Sequence, residues 1–244
     1  MTANDTCTME AVIPLLDDAA TALLFDLDGT LTDSYEGITR SYVYAFEKIG
    51  YPVPSEEFLR SVVGPPLRES MGNYGREFGP DDMQITAAIE AYLERYRRIG
   101  WLENRVYPGI AELLADLAAS GRRMAVATSK NEPLARQIVG HFGLSDYFDF
   151  VAGACPDGTR PTKADVIAHA IDGLGWATPS HPIVMIGDRS HDIVGAAAHG
   201  IPAIGVAWGY ALPGELEKAL SITGIATADL IVESVQELRE ELGV

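Results

Sequence analysis

Two aspartates separated by a single residue, Asp26 and Asp28, sit in the stretch Phe25–Ser34 (FDLDGTLTDS) and carry the most chemical information in this 244-residue chain. They follow TALLFD, a short apolar run of the kind that forms a strand buried on both faces of a parallel sheet. Side chains two apart on an extended chain point the same way, so the two carboxylates converge on one site while Leu27 packs inward. Close like charges drive protonation equilibria apart, which lets one carboxylate stay ionised as a nucleophile while the other keeps a proton as general acid. Gly29 permits the sharp turn that follows. On these residues alone, an Asp-Gly turn with incidental carboxylates is the competing reading.

Three further places could supply partners. Thr128 ends the apolar run MAVAT and can offer its hydroxyl to a bound oxyanion, with Ser129 and Lys130 beside it; alone, it equally reads as a turn or a helix-capping group before Glu132. Lys163, in RPTKADVIAHAI, opens a helix, and alone it is a solvated surface lysine. Asp188 closes the run IVMIG and Asp192 follows four residues later, where an aspartate also caps the helix that begins at Ser190. His191 and His199 lack a cysteine or acid cluster at zinc-site spacing and are not read as metal ligands.

The elements that must position these groups alternate. Strands are expected at Thr21 to Asp26, Met124 to Thr128, Phe148 to Ala152, Ile183 to Gly187, Ala203 to Ala207 and Asp229 to Val232. Helices are expected at Gly109 to Ala119, Glu132 to Phe142, Lys163 to Leu174, Ser190 to His199, Gly214 to Leu220 and Val235 to Leu242. That rhythm predicts an α/β fold, a doubly wound parallel sheet with ligands at the carboxyl ends of its strands. It breaks once. No strand pattern appears from Ser34 to Arg105, where Tyr35 to Ile49, Glu56 to Val62 and Asp82 to Ile99 read as helices of an inserted α-helical cap. The expected organisation is a loose leader over 1–20, a core over 21–33 and 106–244, and a cap over 34–105.

In order and placement, FDLDGT, AVATSK, Lys163 and GDRSHD resemble the four signatures of the haloacid dehalogenase superfamily, and the insertion resembles the helical cap of its phosphoglycolate-phosphatase-like branch. The resemblance implies a Rossmann-like core and a Mg2+-dependent phosphomonoester hydrolase. Asp26 would be the nucleophile, Asp28 the acid/base, and Thr128 and Lys163 the groups that stabilise the phosphoryl oxygens. Lys163 is preferred over Arg160, although the family often has Lys-Pro here and this chain has Ala164 after the lysine. Asp26, Asp188 and the backbone carbonyl of Asp28 would hold Mg2+, a hard ion suited to oxygen ligands, with Asp192 orienting a metal water or a ligand. Ser129 and Lys130 would contact substrate. The cap segment Val63 to Ser70 (VGPPLRES) resembles the family's specificity loop, in which Arg68 would meet a substrate carboxylate or phosphate.

The implied substrate is a small phosphorylated metabolite: phosphoglycolate-like, a nucleotide or a sugar phosphate. A phosphotransferase or mutase that delivers the phosphoryl group to another hydroxyl has the same parts, and a non-catalytic regulator binding a phosphorylated ligand is the rival of a different class. Asp28 counts against the dehalogenase branch, and the absence of a Gly-x-x-x-x-Gly-Lys loop disfavours a P-loop kinase.

Composition narrows the partners. Eighteen Lys and Arg against thirty-five Asp and Glu give a formal charge of -17, a field that repels nucleic acid and anionic lipid. The same field opposes a small phosphate ester, so the site needs a metal and local cations. Cys7 and Cys155 give no basis for a disulfide framework, no apolar run has the length of a membrane span, and residues 1–20 lack the basic residues of a targeting peptide, so a cytoplasmic setting is expected.

Overall fold

A computed structural model describes residues 16, 20–65, 67–78, 82–155, 158–176, 182–223 and 230–244. In chain order the elements are β1 (Ala22–Phe25), β2 (Thr32–Asp33), α1 (Tyr35–Lys48), α2 (Glu56–Ser61), α3 (Leu67–Phe78), α4 (Asp82–Arg98), β3 (Arg105–Val106), α5 (Ile110–Ala119), β4 (Met124–Asn131), α6 (Glu132–His141), β5 (Phe150–Ala154), α7 (Lys163–Gly173), β6 (Ile183–Gly187), α8 (Ser190–Ala197), β7 (Ala203–Val206), α9 (Glu215–Thr223), β8 (Leu230–Val232) and α10 (Val235–Glu241).

Six parallel strands form one sheet in the order β5-β4-β1-β6-β7-β8. Both faces are covered, because successive strand residues point to opposite sides and both sides are apolar. Leu23, Phe25, Val126, Val184 and Ile186 pack with α5, α6 and α10. Leu24, Ala125, Ala127 and Met185 pack with α7, α8 and α9. The chain leaves β1 toward β4 and β5, then crosses back to β6 on the other side of β1. That reversal opens a crevice at the carboxyl ends of β1, β4 and β6, where ligands bind in sheets of this kind.

The helices α1 to α4 are inserted between β2 and β3 and have their own core, built on Tyr42, Phe46, Met71, Tyr74, Tyr92 and Tyr96. Ile38, Tyr42, Ala45 and Phe46 fall on one side of α1 at helical spacing, and all four are buried. Tyr42 meets Tyr92 edge-on, with ring centroids 5.0 Å apart. The chain passes in and out of this helical unit through the antiparallel pair β2–β3.

Two expectations need correction. Arg105 lies in a strand although no strand pattern was expected up to that residue; a two-residue ribbon is too short to leave a periodic signal. The segment Val63 to Ser70 is not a loop throughout, because α3 starts at Leu67 and places Arg68 in its first turn. The Gly-Pro-Pro stretch hides that start, since proline is excluded from helix interiors but tolerated at helix entry. The leader expected over 1–20 lies outside the described residues, apart from Leu16 and Ala20; Leu16 is buried in the core and its carbonyl accepts a hydrogen bond from Arg122. Among the described residues, no helix is long and apolar enough to cross a membrane.

Ile186, in the middle of the sheet, is fully buried. Ile186→Ala should cost about 2–5 kcal/mol through lost burial and an incompletely collapsed cavity. Thermal unfolding followed by circular dichroism should show the melting temperature falling by roughly 2–4 °C per kcal/mol.

Candidate active site

The site is built from the residues that follow three neighbouring strands. β1 ends at Phe25, and the backbone N–H of Asp26 continues the ladder by donating to the Ile186 carbonyl at 2.9 Å. The chain then turns tightly, as Leu31 and Thr32 donate backbone hydrogen bonds to Leu27, and Gly29 donates to Thr32. Gly29 has φ of +85°, and a methyl group there would stand 2.1 Å from Asp188 Oδ2, so only glycine suits this close approach. Leu27 points into the core, while Asp26 and Asp28 are 3% and 8% exposed and line the crevice.

Lys163 reaches the same point from the start of α7. A capping box between Thr162 and Asp165 fixes that helix end. The Lys163 stem passes Gly195 of α8, where a Cβ would come within 2.8 Å of it. Its Nζ stands 2.9 Å from Asp26 Oδ1 and 2.6 Å from Asp192 Oδ1, and donates to the Ala127 carbonyl at 3.0 Å. The ammonium thus has two carboxylate oxygens and one carbonyl oxygen within 3.0 Å. Burial pulls the Lys163 pKa down, but Asp192 and Asp26 outweigh it and raise it overall. Arg160 instead pairs with Glu132 at 2.8 Å and bonds the Gly153 carbonyl.

Asp188, directly after β6, is fully buried; Oδ2 accepts the Tyr210 backbone N–H at 2.8 Å, and Oδ1 lies 3.4 Å from the Thr30 hydroxyl. Asp192, in the first turn of α8, accepts the Arg189 backbone N–H at 3.0 Å. Burial is the main force raising the pKa of both, followed for Asp188 by Asp192 and Asp26. Asp188 rises well above the ordinary carboxylate range, and Asp192 reaches about 6 because burial and Asp26 outweigh the pull of Lys163.

On the other side of Asp26, Lys130 Nζ pairs with Asp28 Oδ2 at 2.7 Å and bonds the Tyr96 hydroxyl at 2.8 Å. Asp28 Oδ1 is buried without a hydrogen-bond partner among the described residues. Thr128 is 2% exposed, and the register that pairs Phe25 with Val126 sets it beside the end of β1. Its Oγ1 accepts the Lys130 backbone N–H at 3.2 Å.

Asp26, Asp28, Thr128, Lys130, Lys163, Asp188 and Asp192 thus gather at one crevice, whereas Arg68 and Ser129 line an adjoining cleft. Asp26, Asp188 and Asp192 each offer an oxygen, with these atoms within 4.8 Å of one another. Four buried carboxylates against the ammonium groups of Lys130 and Lys163 leave negative charge uncompensated, and hard oxygen donors suit a divalent cation such as Mg2+. The residues fit that group.

Three participants were not legible beforehand. Tyr210, after β7, binds Asp188 through its backbone, while its hydroxyl bonds Asp33 and accepts the Ser34 and Tyr35 N–H groups where the helical insertion begins. Tyr96 of α4 reaches Lys130. Arg189 pairs with Glu215 at 2.9 Å and donates to the Val63 carbonyl of the insertion. Burial pushes the Glu215 carboxyl up, but hydrogen bonds from Arg189, Leu212 and Ser190 outweigh it and hold it at about 2. Only the Asp-Arg-Ser beside Asp192 offered a local signal, since a buried arginine needs an acid partner that spacing does not reveal.

The raised Asp188 pKa fixes the sign of a prediction. A carboxyl whose folded-state pKa exceeds its unfolded value, ~3.9 for Asp, contributes stability below that value that is lost as pH rises through the folded pKa. Asp188→Asn removes the buried charge, so in chelator the variant should melt above the wild type at about pH 7.5 by roughly 1–3 kcal/mol, and the gap should close toward about pH 4. Calorimetric melting across that range checks it; a variant less stable at the higher pH would contradict the assignment.

The profile described as haloacid dehalogenase-like hydrolase matches residues 23–206. Tyrosine-protein kinase PtkA of Mycobacterium tuberculosis is 46% identical over 224 residues, covering 91% of this chain and 72% of that protein. A 5'-nucleotidase of Pseudomonas aeruginosa is 42% identical over 194 residues, covering 80% of this chain and 86% of its own. A crystal structure of a predicted phosphatase from Clostridium acetobutylicum superposes with a TM-score of 0.81 at 40% identity, covering 91% of this chain and 97% of the other. With a profile that spans Asp26, Asp28, Lys163 and Asp188, and relatives alike over most of their length, this chain belongs to the haloacid dehalogenase-like hydrolase family.

Proposed function

We propose that the protein is a Mg2+-dependent phosphatase that hydrolyses a small phosphorylated metabolite through a phosphoryl group carried on Asp26. The observation that supports this reading most directly is the convergence of Asp26, Asp28, Asp188 and Asp192 around Lys163, whose ammonium touches Asp26 and Asp192 at once. Asp26 Oδ1 is engaged by Lys163 and by the Leu27 N–H at 2.8 Å, which leaves Oδ2 to attack phosphorus in line. The bond from phosphorus to the alcohol oxygen breaks as the new bond forms, and Asp28 donates a proton to the departing oxygen. In the second step Asp28 takes a proton from water, the water oxygen bonds to phosphorus, and Asp26 is released with free phosphate. Thr128, Lys130 and Lys163 balance charge on the phosphoryl oxygens. When bound by Asp26, Asp188 and the Asp28 backbone carbonyl, with Asp192 alongside, Mg2+ supplies further positive charge to the same oxygens.

The helical insertion, residues 34–105 in this reading, acts as a cap. Tyr96 and the Val63 carbonyl touch Lys130 and Arg189 of the core, which supports a closed form that keeps bulk water from the phosphoryl group. The net charge of -17 favours a small ligand in a locally cationic site over nucleic acid, and the free thiol of Cys155 is consistent with a reducing, cytoplasmic setting. The 5'-nucleotidase relative makes nucleoside monophosphates a first group of substrates to test.

A second acceptor is favoured by one observation, the 46% identity to a protein named a tyrosine-protein kinase. A tyrosine hydroxyl in place of water would use the same Asp26 and Asp28. Phosphate release from a panel of phosphomonoesters, measured with Mg2+ and with chelator, tests the main reading. Activity should require the metal, and Asp26→Asn should lower kcat by roughly a thousandfold or more. Activity surviving that substitution would overturn the assignment of Asp26; phosphotyrosine formed in place of free phosphate would move the conclusion to the second acceptor.

A further inference from the structure

Lys130 is held from both sides of the crevice. On the core side, β4 shifts register between Thr128 and Asn131, an irregularity that re-aims the intervening side chains, and the Lys130 N–H donates to Thr128 Oγ1 at 3.2 Å. Its Nζ then meets Asp28 Oδ2 at 2.7 Å. On the insertion side, Nζ donates to the Tyr96 hydroxyl at 2.8 Å and lies 4.8 Å from the centroid of the same ring, so one tyrosine offers the ammonium both an acceptor oxygen and a π face. The ring is closely confined. It is 1% exposed and stacks on Tyr92 with centroids 5.4 Å apart and planes 8° from parallel, and a Cβ on Gly100 would come within 2.8 Å of its Cδ2.

Those contacts fix more than a charge. An ammonium has three donors and no acceptor, whereas a protonated carboxyl has one donor oxygen and one acceptor oxygen. With Lys130 against Oδ2, only Oδ1 of Asp28 can carry an acid proton without setting donor against donor. Oδ1 is also the oxygen that is buried without a hydrogen-bond partner among the described residues. We propose that Tyr96 is a positioning residue for the general acid: its hydroxyl holds Lys130 on Oδ2 and thereby turns Oδ1, with the proton, to the leaving alcohol. In the transfer step the Oδ1–H bond breaks and the proton joins the alcohol oxygen, which keeps the electron pair of the broken P–O bond. Asp28 is left as a carboxylate already paired with Lys130. This rests on the phosphatase reading above and names the insertion residue on which its acid step depends.

Proton donation matters most when the leaving oxygen is basic. The test therefore compares benzyl phosphate, which must release an alkoxide unless it is protonated, with 4-nitrophenyl phosphate, whose phenolate leaves unaided. Because kcat/KM reports only the steps up to departure of the alcohol, it excludes the later hydrolysis in which Asp28 acts as base. Tyr96→Phe keeps the ring and its stacking and removes only the hydroxyl. It should lower the benzyl-to-4-nitrophenyl ratio of kcat/KM by about tenfold, and should leave the ratio unmoved in an Asp28→Asn background. A merely structural defect of the insertion would slow both esters alike; that result, or a fall in the ratio that persists in the Asp28→Asn background, would overturn the proposal. If Tyr96→Phe does not fold by circular dichroism, Lys130→Gln should lower the same ratio, and an unchanged ratio there would also overturn it. Asp28→Asn with the wild-type ratio would take the acid role from Asp28 and the proposal with it. Absence of turnover on both esters would count against the phosphatase reading instead, and a crystal structure of Tyr96→Phe then decides the positioning: loss of the contact between Lys130 and Asp28 Oδ2 supports it, and a contact kept at 2.7 Å overturns it.

Discussion

The ammonium of Lys163 lies between Asp26 and Asp192, inside a buried group of four carboxylates, and the arrangement of the core follows from keeping those charges together. Unpaired, such a cluster would be strongly unfavourable, because burial and mutual repulsion both oppose ionisation. The structure offsets this with cations and donors: the Lys163 ammonium lies against Asp26 and Asp192, the Tyr210 N–H meets Asp188, the Arg189 N–H meets Asp192, and Lys130 meets Asp28. The raised pKa values of Asp188 and Asp192 show that the compensation is incomplete. That residue of negative charge is what a divalent cation would relieve, so a protein poised this way gains stability and a functional site from the same ion.

The framework makes this possible by delivering each charge on a rigid element. Asp26 and Asp188 follow neighbouring strands in hydrogen-bonded register, and Lys163 and Asp192 stand in the first turns of helices that pack on the same sheet face. Glycines at Gly29, Gly187 and Gly209 clear the space, since a Cβ at any of them would come within 2.5 Å of Asp188 or Asp192. The contacts that tie the insertion to this framework include those of Tyr96, Val63 and the Tyr210 hydroxyl. Tyr210 links the backbone contact at Asp188 to the start of the insertion, so the metal-ligand candidate and the entry to the insertion share one residue.

Much of this was legible because local pattern and chemistry coincide. An apolar run ending on an acid announced β1 and β6, and MAVAT before Thr128 announced β4; a buried parallel strand has few other ways to read. Lys163 could be preferred to Arg160 only through resemblance, whereas in the fold it is Lys163 whose ammonium meets Asp26. What stayed hidden depends on contacts between distant segments. Nothing near Tyr210 or Tyr96 signals that their hydroxyls meet Asp33 or Lys130, and Lys130 was expected beside substrate with no sign of its pairing with Asp28. The start of α3 was masked by prolines that serve helix entry as readily as a loop, which placed Arg68 in a loop rather than in a helical turn facing the cleft.

The proposed chemistry turns on whether Asp26 itself accepts the phosphoryl group. Rapid acid quench of the enzyme during turnover with Mg2+, followed by peptide mass spectrometry, tests this directly. One added phosphoryl group is expected on the peptide that carries Asp26, localised to that residue and removed by hydroxylamine. A phosphoryl group found on another residue, or steady phosphate release with no adduct at Asp26 at any quench time, would contradict it.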